Sequence, residues 1–191
     1  MHIKLYREAL NEIILHAAKC YELECFGYLH GRRENGRISI LKATEGPVKK
    51  RTKTRLITTS NDAQVERRLE SIVGIPIIGD FHSHTENGEE ACTDYSYDDK
   101  NSDLFDMLRA QKLTYFIVAI RDKIRQKEWK TTRSGELAGT DTDFDCAIAA
   151  YVLNQALYDK LRADKRKVKF SELNTRQREN MFLRAPIYLR R

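Results

Sequence analysis

Two short apolar runs constrain this chain more than any other feature. Ile75-Pro76-Ile77-Ile78-Gly79-Asp80-Phe81 and residues 113–120 both have the pattern of buried strands, the second rich in β-branched and aromatic residues. Between them, residues 96–110 carry Leu104, Phe105, Leu108 and Ala110 at helical spacing. The local order is therefore strand, loop, helix, strand. Around it, Leu5, Ala9, Leu10, Ile13, Ile14, Ala17, Ala18 and Tyr21 predict an amphipathic helix over residues 4–21. Residues 24–31 and 37–43, joined by the polar turn 32–36, read as a hairpin. A loop opens at Glu45-Gly46-Pro47, a short strand is expected over 56–59, and a helix over 61–73 is capped by Ser60 or Asn61 and stopped by Gly74. Residues 127–133 predict an edge strand around Trp129, and the Ala-rich segment 144–161 predicts a helix. The sum is an α/β chain, a mixed sheet flanked by helices.

At 191 residues, 41% of them hydrophobic, the chain can bury a core without disulfide staples. The longest unbroken apolar stretch, residues 146–153, is far short of the roughly 18 residues that span a bilayer. The charged N-terminal residues do not form a secretory signal, so a cytoplasmic location is expected. Cys20, Cys25, Cys92 and Cys146 form no close pair and are expected to be reduced thiols. The net charge of +6 is uneven: residues 160–191 hold 11 Lys or Arg against three acids, leaving the rest of the chain slightly acidic. Such a tail reads as a solvated helix and terminus. Nucleic acid is the sharper but less favoured alternative, since only Phe170, Phe182 and Tyr188 interleave with the cations.

The chemistry gathers at His82-Ser83-His84. In extended backbone, side chains two apart share a face, so both imidazoles can address one ion, as a Zn²⁺ centre with nitrogen ligands requires. Downstream, Ser96 is placed as a helix N-cap, and Asp99 falls in the first turn as a candidate oxygen ligand. Asp94 and Asp98 compete for that place. Such a third ligand, leaving a fourth position for water, would suit hydrolysis. Glu24 stands on an otherwise apolar strand, alternating to one side with Phe26, Tyr28 and His30. Desolvation there would raise its pKa toward a value useful to a general base.

Glu24-x-x-Gly27-x-Leu29-x-Gly31, His82-Ser83-His84 and Ser96-x-x-Asp99, in that order, resemble the JAMM signature of the MPN+ (JAB-type) zinc metalloproteases, including their prokaryotic deubiquitinase-like members. The resemblance covers about residues 1–135. It implies an MPN/JAB-like fold, similar to cytidine deaminases in its three-layer arrangement, with a catalytic unit over 1–142 and a basic helical extension over 143–191. It also implies one Zn²⁺ held by His82, His84 and Asp99 together with a catalytic water, Glu24 as proton acceptor and donor, and Ser96 as hydrogen-bond donor to the oxyanion. The implied reaction is hydrolysis after the C-terminus of a ubiquitin-like modifier or sulfur carrier, with that protein or its conjugates as partner and no membrane. Two other readings are a metal-free MPN scaffold and a RadC-like DNA-associated protein. Two departures mark the loop: the family's usual spacing falls on Cys92 and Tyr95, and Thr85 stands where proline commonly follows the second His.

Overall fold

The computed structural model describes residues 1–51, 56–58, 63–85, 92–97, 102–141, 143–162 and 168–190. The chain opens with strand β1 (His2–Tyr6), not with the expected helix, because Ile3 and Leu5 alternate inward and are fully buried. Helix α1 (Arg7–Lys19) follows and buries Ala9, Leu10, Ile13, Ile14 and Ala17. Leu5 and Ala9 continue one another's helical spacing only by coincidence of register. The predicted hairpin is present as β2 (Phe26–Glu34) and β3 (Arg37–Glu45). Its two-residue turn places Asn35 at φ 48° and Gly36 at φ 74°, the left-handed pair that matches strand twist. Strands β4 (Val48–Arg51) and β5 (Leu56–Thr58) form a separate antiparallel pair. Helix α2 (Ala63–Val73) ends at Gly74, whose φ is 71°.

Strand β6 (Ile77–Thr85), helix α3 (Asp103–Ala110) and strand β7 (Thr114–Asp122) make the predicted strand–helix–strand unit, with β6 and β7 parallel. The helix begins at Asp103, not at Ser96 as expected: residues 96 and 97 are irregular, and 98–101 lie outside the described residues. The expected edge strand appears as β8 (Lys130–Thr131), at one end of the sheet. Strand β9 (Leu137–Asp141) follows, and β10 (Phe144–Leu153) occupies most of the segment expected as a helix. The helix there is only α4 (Gln155–Arg162), followed by α5 (Thr175–Glu179) and strands β11 (Phe182–Ala185) and β12 (Ile187–Arg190). The run Cys146–Leu153 is apolar on both sides because both sides are covered. Cys146, Ile148, Ala150 and Val152 face the core that includes α1, while Ala149 and Tyr151 face a second core with Leu104 and Met107 of α3. Continuous hydrophobicity hides a period of two, and alanine supplies the helical composition.

The expected helical extension over 143–191 is thus corrected: it gives three strands to the one main sheet, ordered β12-β1-β3-β2-β6-β7-β10-β9-β8 with β11 also on β10. The sheet is mixed and strongly curled. Thr131 Oγ1 donates to the Ile187 carbonyl at 2.5 Å and Ile187 N donates to Gly135 O at 3.0 Å, joining the strand at one end to the turn at the other. The larger core, with Ile3, Ile13, Phe81, Phe116, Leu137 and Ile187, fills the curl around α1. The second core lies on the opposite face, under α3 and α4. All four cysteines are free thiols. Among the described residues, no helix is long and apolar enough to cross a membrane.

Where β2 meets β6, a Cβ on Gly27 would collide with the Phe81 ring and the Thr44 carbonyl oxygen. Neither neighbour can retreat, since Phe81 is buried in the core and Thr44 is main chain in β3. Gly27→Ala is expected to cost about 1–3 kcal/mol, read as a lowered midpoint in chemical denaturation.

Candidate metal centre

The site lies at the carboxyl ends of the parallel strands β6 and β7, where the crossover through α3 begins. Register sets its contents. Along β6, Ser83 is fully buried and turns to the α1 side, so His82 and His84 project to the opposite face. His82 pairs with Ile117 and His84 with Ala119 on β7, while Phe26 of β2 lies opposite His82. One residue before β2, Cys25 N donates to Ser83 Oγ at 2.9 Å and Ser83 N donates to Cys25 O at 3.2 Å. The antiparallel alignment carried one step further sets Glu24 opposite His84, on the imidazole face.

The carboxylate that meets the two histidines is Asp103, the first residue of α3. Its Oδ1 lies 3.2 Å from His82 Nε2 and its Oδ2 lies 3.7 Å from His84 Nε2. The two Nε2 atoms are 3.2 Å apart. Three donors at about 2.0–2.2 Å from a tetrahedral Zn²⁺ would stand about 3.4 Å from one another, and the separations here lie around that value. The donor states fit as well. His84 Nδ1 lies 2.9 Å from the Cys92 carbonyl oxygen, which can only accept, so Nδ1 carries the proton and Nε2 keeps its lone pair toward the centre. Burial and the neighbouring His82 push the His84 pKa down, favouring that neutral form. Burial opposes charge on Asp103, but His82, His84 and the Ser96 amide outweigh it and hold the carboxyl well below the usual carboxylate range. His82 is pulled the other way: burial disfavours its charge, yet Asp103 and Glu24 raise its pKa. The pocket asks for positive charge, which a divalent cation would provide in place of that proton.

Glu24 is half-buried, and burial pushes its carboxyl up to about 7, with His82 lowering and Asp103 raising it. Ser96 is brought to the centre too, in contact with Asp103. Its amide donates to Asp103 Oδ2 at 2.8 Å, its hydroxyl lies 3.1 Å from the same oxygen, and Asp103 N donates to Ser96 Oγ at 3.0 Å. The hydroxyl therefore orients the carboxylate, and donating to an oxyanion would require it to turn away from Oδ2. Of the expected ligands, Asp99 and its rival Asp98 lie outside the described residues, and Asp94 instead pairs with Arg184 at 2.6 Å. The signal for Asp103 is present in the sequence: the apolar helical spacing starts at Leu104, so the acid of the first turn is the residue just before it. No pattern reveals the Cys92 carbonyl, because any residue type offers one. A cavity of 410 Å³ opens between Cys92, Ala119, Arg121, Glu136, Ala138 and Arg184; Cys92 and Ala119 are neighbours of His84, and none of the three metal-centre side chains lines it.

The family model described as prokaryotic homologs of the JAB domain matches residues 7–132. The chain belongs to that family. The mixed sheet with flanking helices is the fold that membership implies, and β9 to β12 lie beyond the matched stretch. Among curated proteins, none matches the chain. Protein DSY2949 from Desulfitobacterium hafniense, a solution structure, aligns over 98% of this chain and 92% of its own at 14% identity with a TM-score of 0.53. At that identity the likeness concerns the fold alone.

Asp103→Ala is expected to lower zinc affinity by more than the roughly tenfold that loss of an outer hydrogen-bond partner already costs. Asp99→Ala is expected to leave it within about twofold, well inside that tenfold. Chelator-competition titration of both variants checks the choice of carboxylate.

Proposed function

We propose that this JAB-family chain is a zinc-dependent metallo-isopeptidase that hydrolyses the peptide or isopeptide bond after the C-terminus of a ubiquitin-like modifier or sulfur carrier. The observation that carries this reading is the convergence of His82, His84 and Asp103 on one point, with Glu24 electrostatically coupled to it. Held by these three side chains, Zn²⁺ would supply Lewis acidity toward a carbonyl oxygen and ease the ionisation of water.

The other roles fall to side chains of the chain itself. Burial raises the Glu24 carboxyl to about 7 in the metal-free site, toward the range in which a carboxylate can both take a proton and return it. Glu24 accepts the proton of the attacking water as the new C–O bond forms, then delivers it to the amine as the C–N bond breaks. The Cys92 carbonyl and Ser96 keep His84 and Asp103 in their orientations. No cysteine takes part, and no covalent intermediate is required. The cavity beside His84 is large enough for a side chain flanking the scissile bond. The substrate class rests on family membership, and the extended tail of such a modifier is the kind of segment that adds as a strand beside an exposed sheet edge.

The test is Glu24→Gln, which keeps size and removes the base. Zinc content near one equivalent is expected to persist, while cleavage of ubiquitin-like fusions falls by about 10²–10⁴-fold. Equal cleavage by the variant and the native chain would refute the role of Glu24. A native chain that takes up no zinc would favour the scaffold reading.

A further inference from the structure

We propose that Tyr151 and Arg184, from the part of the chain beyond the family match, are positioning residues that clamp Thr93 and Asp94 and thereby hold the Cys92 carbonyl on His84 Nδ1. The proposal rests on the metal-centre reading above and adds to it a role for the C-terminal strands.

Residues 92–97 have no ladder hydrogen bonds to fix them, being irregular throughout. Yet Thr93 and Tyr95 are buried, and the groups that hold them come from β10, α5 and β11. Tyr151 and Arg184 are partners across the β10–β11 pair. The Tyr151 hydroxyl donates to the Thr93 carbonyl at 2.8 Å and accepts from Arg184 Nη2 at 2.9 Å. The same Nη2 reaches Asp94 Oδ1 at 2.6 Å, while Nη1 donates to Glu136 Oε1 at 3.0 Å. The Thr93 hydroxyl also donates to Glu136, so one carboxylate ties the loop to the cation. Tyr95 OH donates to the main-chain carbonyl of Glu179 at 2.6 Å. Three consecutive loop residues are thus gripped directly next to Cys92, whose carbonyl sets the ring of His84.

The residue types suit this work. A guanidinium presents a rigid planar fork whose two terminal nitrogens serve two carboxylates and a hydroxyl here, whereas an ammonium is a single point charge without that fixed geometry. Burial opposes the charge of Arg184, but the Tyr151 hydroxyl and the two acids raise its pKa further, so the guanidinium stays charged at any ordinary pH. Outer partners of a ligating histidine fix its tautomer and ring orientation, and their loss typically weakens metal binding by 10–100-fold. One of the cations in the basic tail thereby acquires an internal purpose, distinct from a solvated surface charge.

The experiment uses the full chain and reads zinc affinity by chelator competition, together with the visible absorption of the Co²⁺ form. Arg184→Gln and Tyr151→Phe are each expected to weaken zinc about tenfold or more and to alter the Co²⁺ bands, with Arg184→Lys recovering only part. Lys127→Met breaks the 2.7 Å pair with Asp145 near the same cavity without touching residues 92–97, and is expected to bind zinc as the native chain does. Native affinity in both Arg184→Gln and Tyr151→Phe overturns the proposal, as does an equal loss in Lys127→Met, which would signal only general loosening. Should Arg184→Gln fail to fold, Tyr151→Phe, which removes a single hydroxyl, decides alone. A native chain that binds no zinc overturns the metal centre itself, and so separates that failure from failure of the clamp.

Discussion

The alignment of β6 between β2 and β7 is the constraint from which the site follows. Because strand side chains alternate with a period of two, a slip of one residue would turn His82 and His84 into the α1 core and bring Ser83 to the outer face. That slip is opposed from both sides. Phe81 and Ser83 are buried on the α1 side, and the two hydrogen bonds between Cys25 and Ser83 lock the entry of β2 to the same rung. The interaction that fixes the histidines also delivers Glu24, so base and ligands share one register.

Holding these groups together is electrostatically costly in the absence of a cation. Asp103 is ionised in a mostly buried place, Glu24 is pushed up by burial, and His82 is drawn toward its protonated form by both acids. A positive charge at the point where the three donors meet would reverse the upward shifts of Glu24 and His82, and would keep Asp103 ionised as the histidines already do. A tetrahedral ion needs donors a little over three ångströms apart, and the separations already lie around that value. Pre-arrangement of this kind is what a hydrolytic centre needs, since misplacing one donor wastes the ordering of the others. Stiff packing supplies it: β7 lies between the two cores, β6 packs into the first and α3 into the second.

Much of this was legible in the sequence, for identifiable reasons. The β2–β3 hairpin, α2 and the β6–α3–β7 unit show through because the turn at residues 35–36, the stop at Gly74 and the apolar periodicity agree locally. The two histidines show because spacing by two on a strand has one geometric meaning. Two elements mislead. Residues 2–6 fit the spacing of the helix that follows, although Ile3 and Leu5 serve a strand held by β3 and β12. Residues 144–153 look helical by composition, yet three neighbouring strands make them β10. In both cases the deciding partners are far away in the chain, and local propensity does not weigh them.

The sequence by itself determined the order of the chemical groups: a carboxylate on an apolar strand, paired imidazoles at the end of another, and acids near the start of a helix. Only the tertiary structure decided that Asp103 meets the histidines, since the start of α3 depends on how Leu104 and Met107 pack beneath β7 and β10. It likewise decided that the basic C-terminal region closes the sheet and grips the loop beside His84. Long-range strand pairing fixes which charges become neighbours, and charges separated by some ninety residues, as Asp94 and Arg184 are, carry no mark of that pairing in their own surroundings.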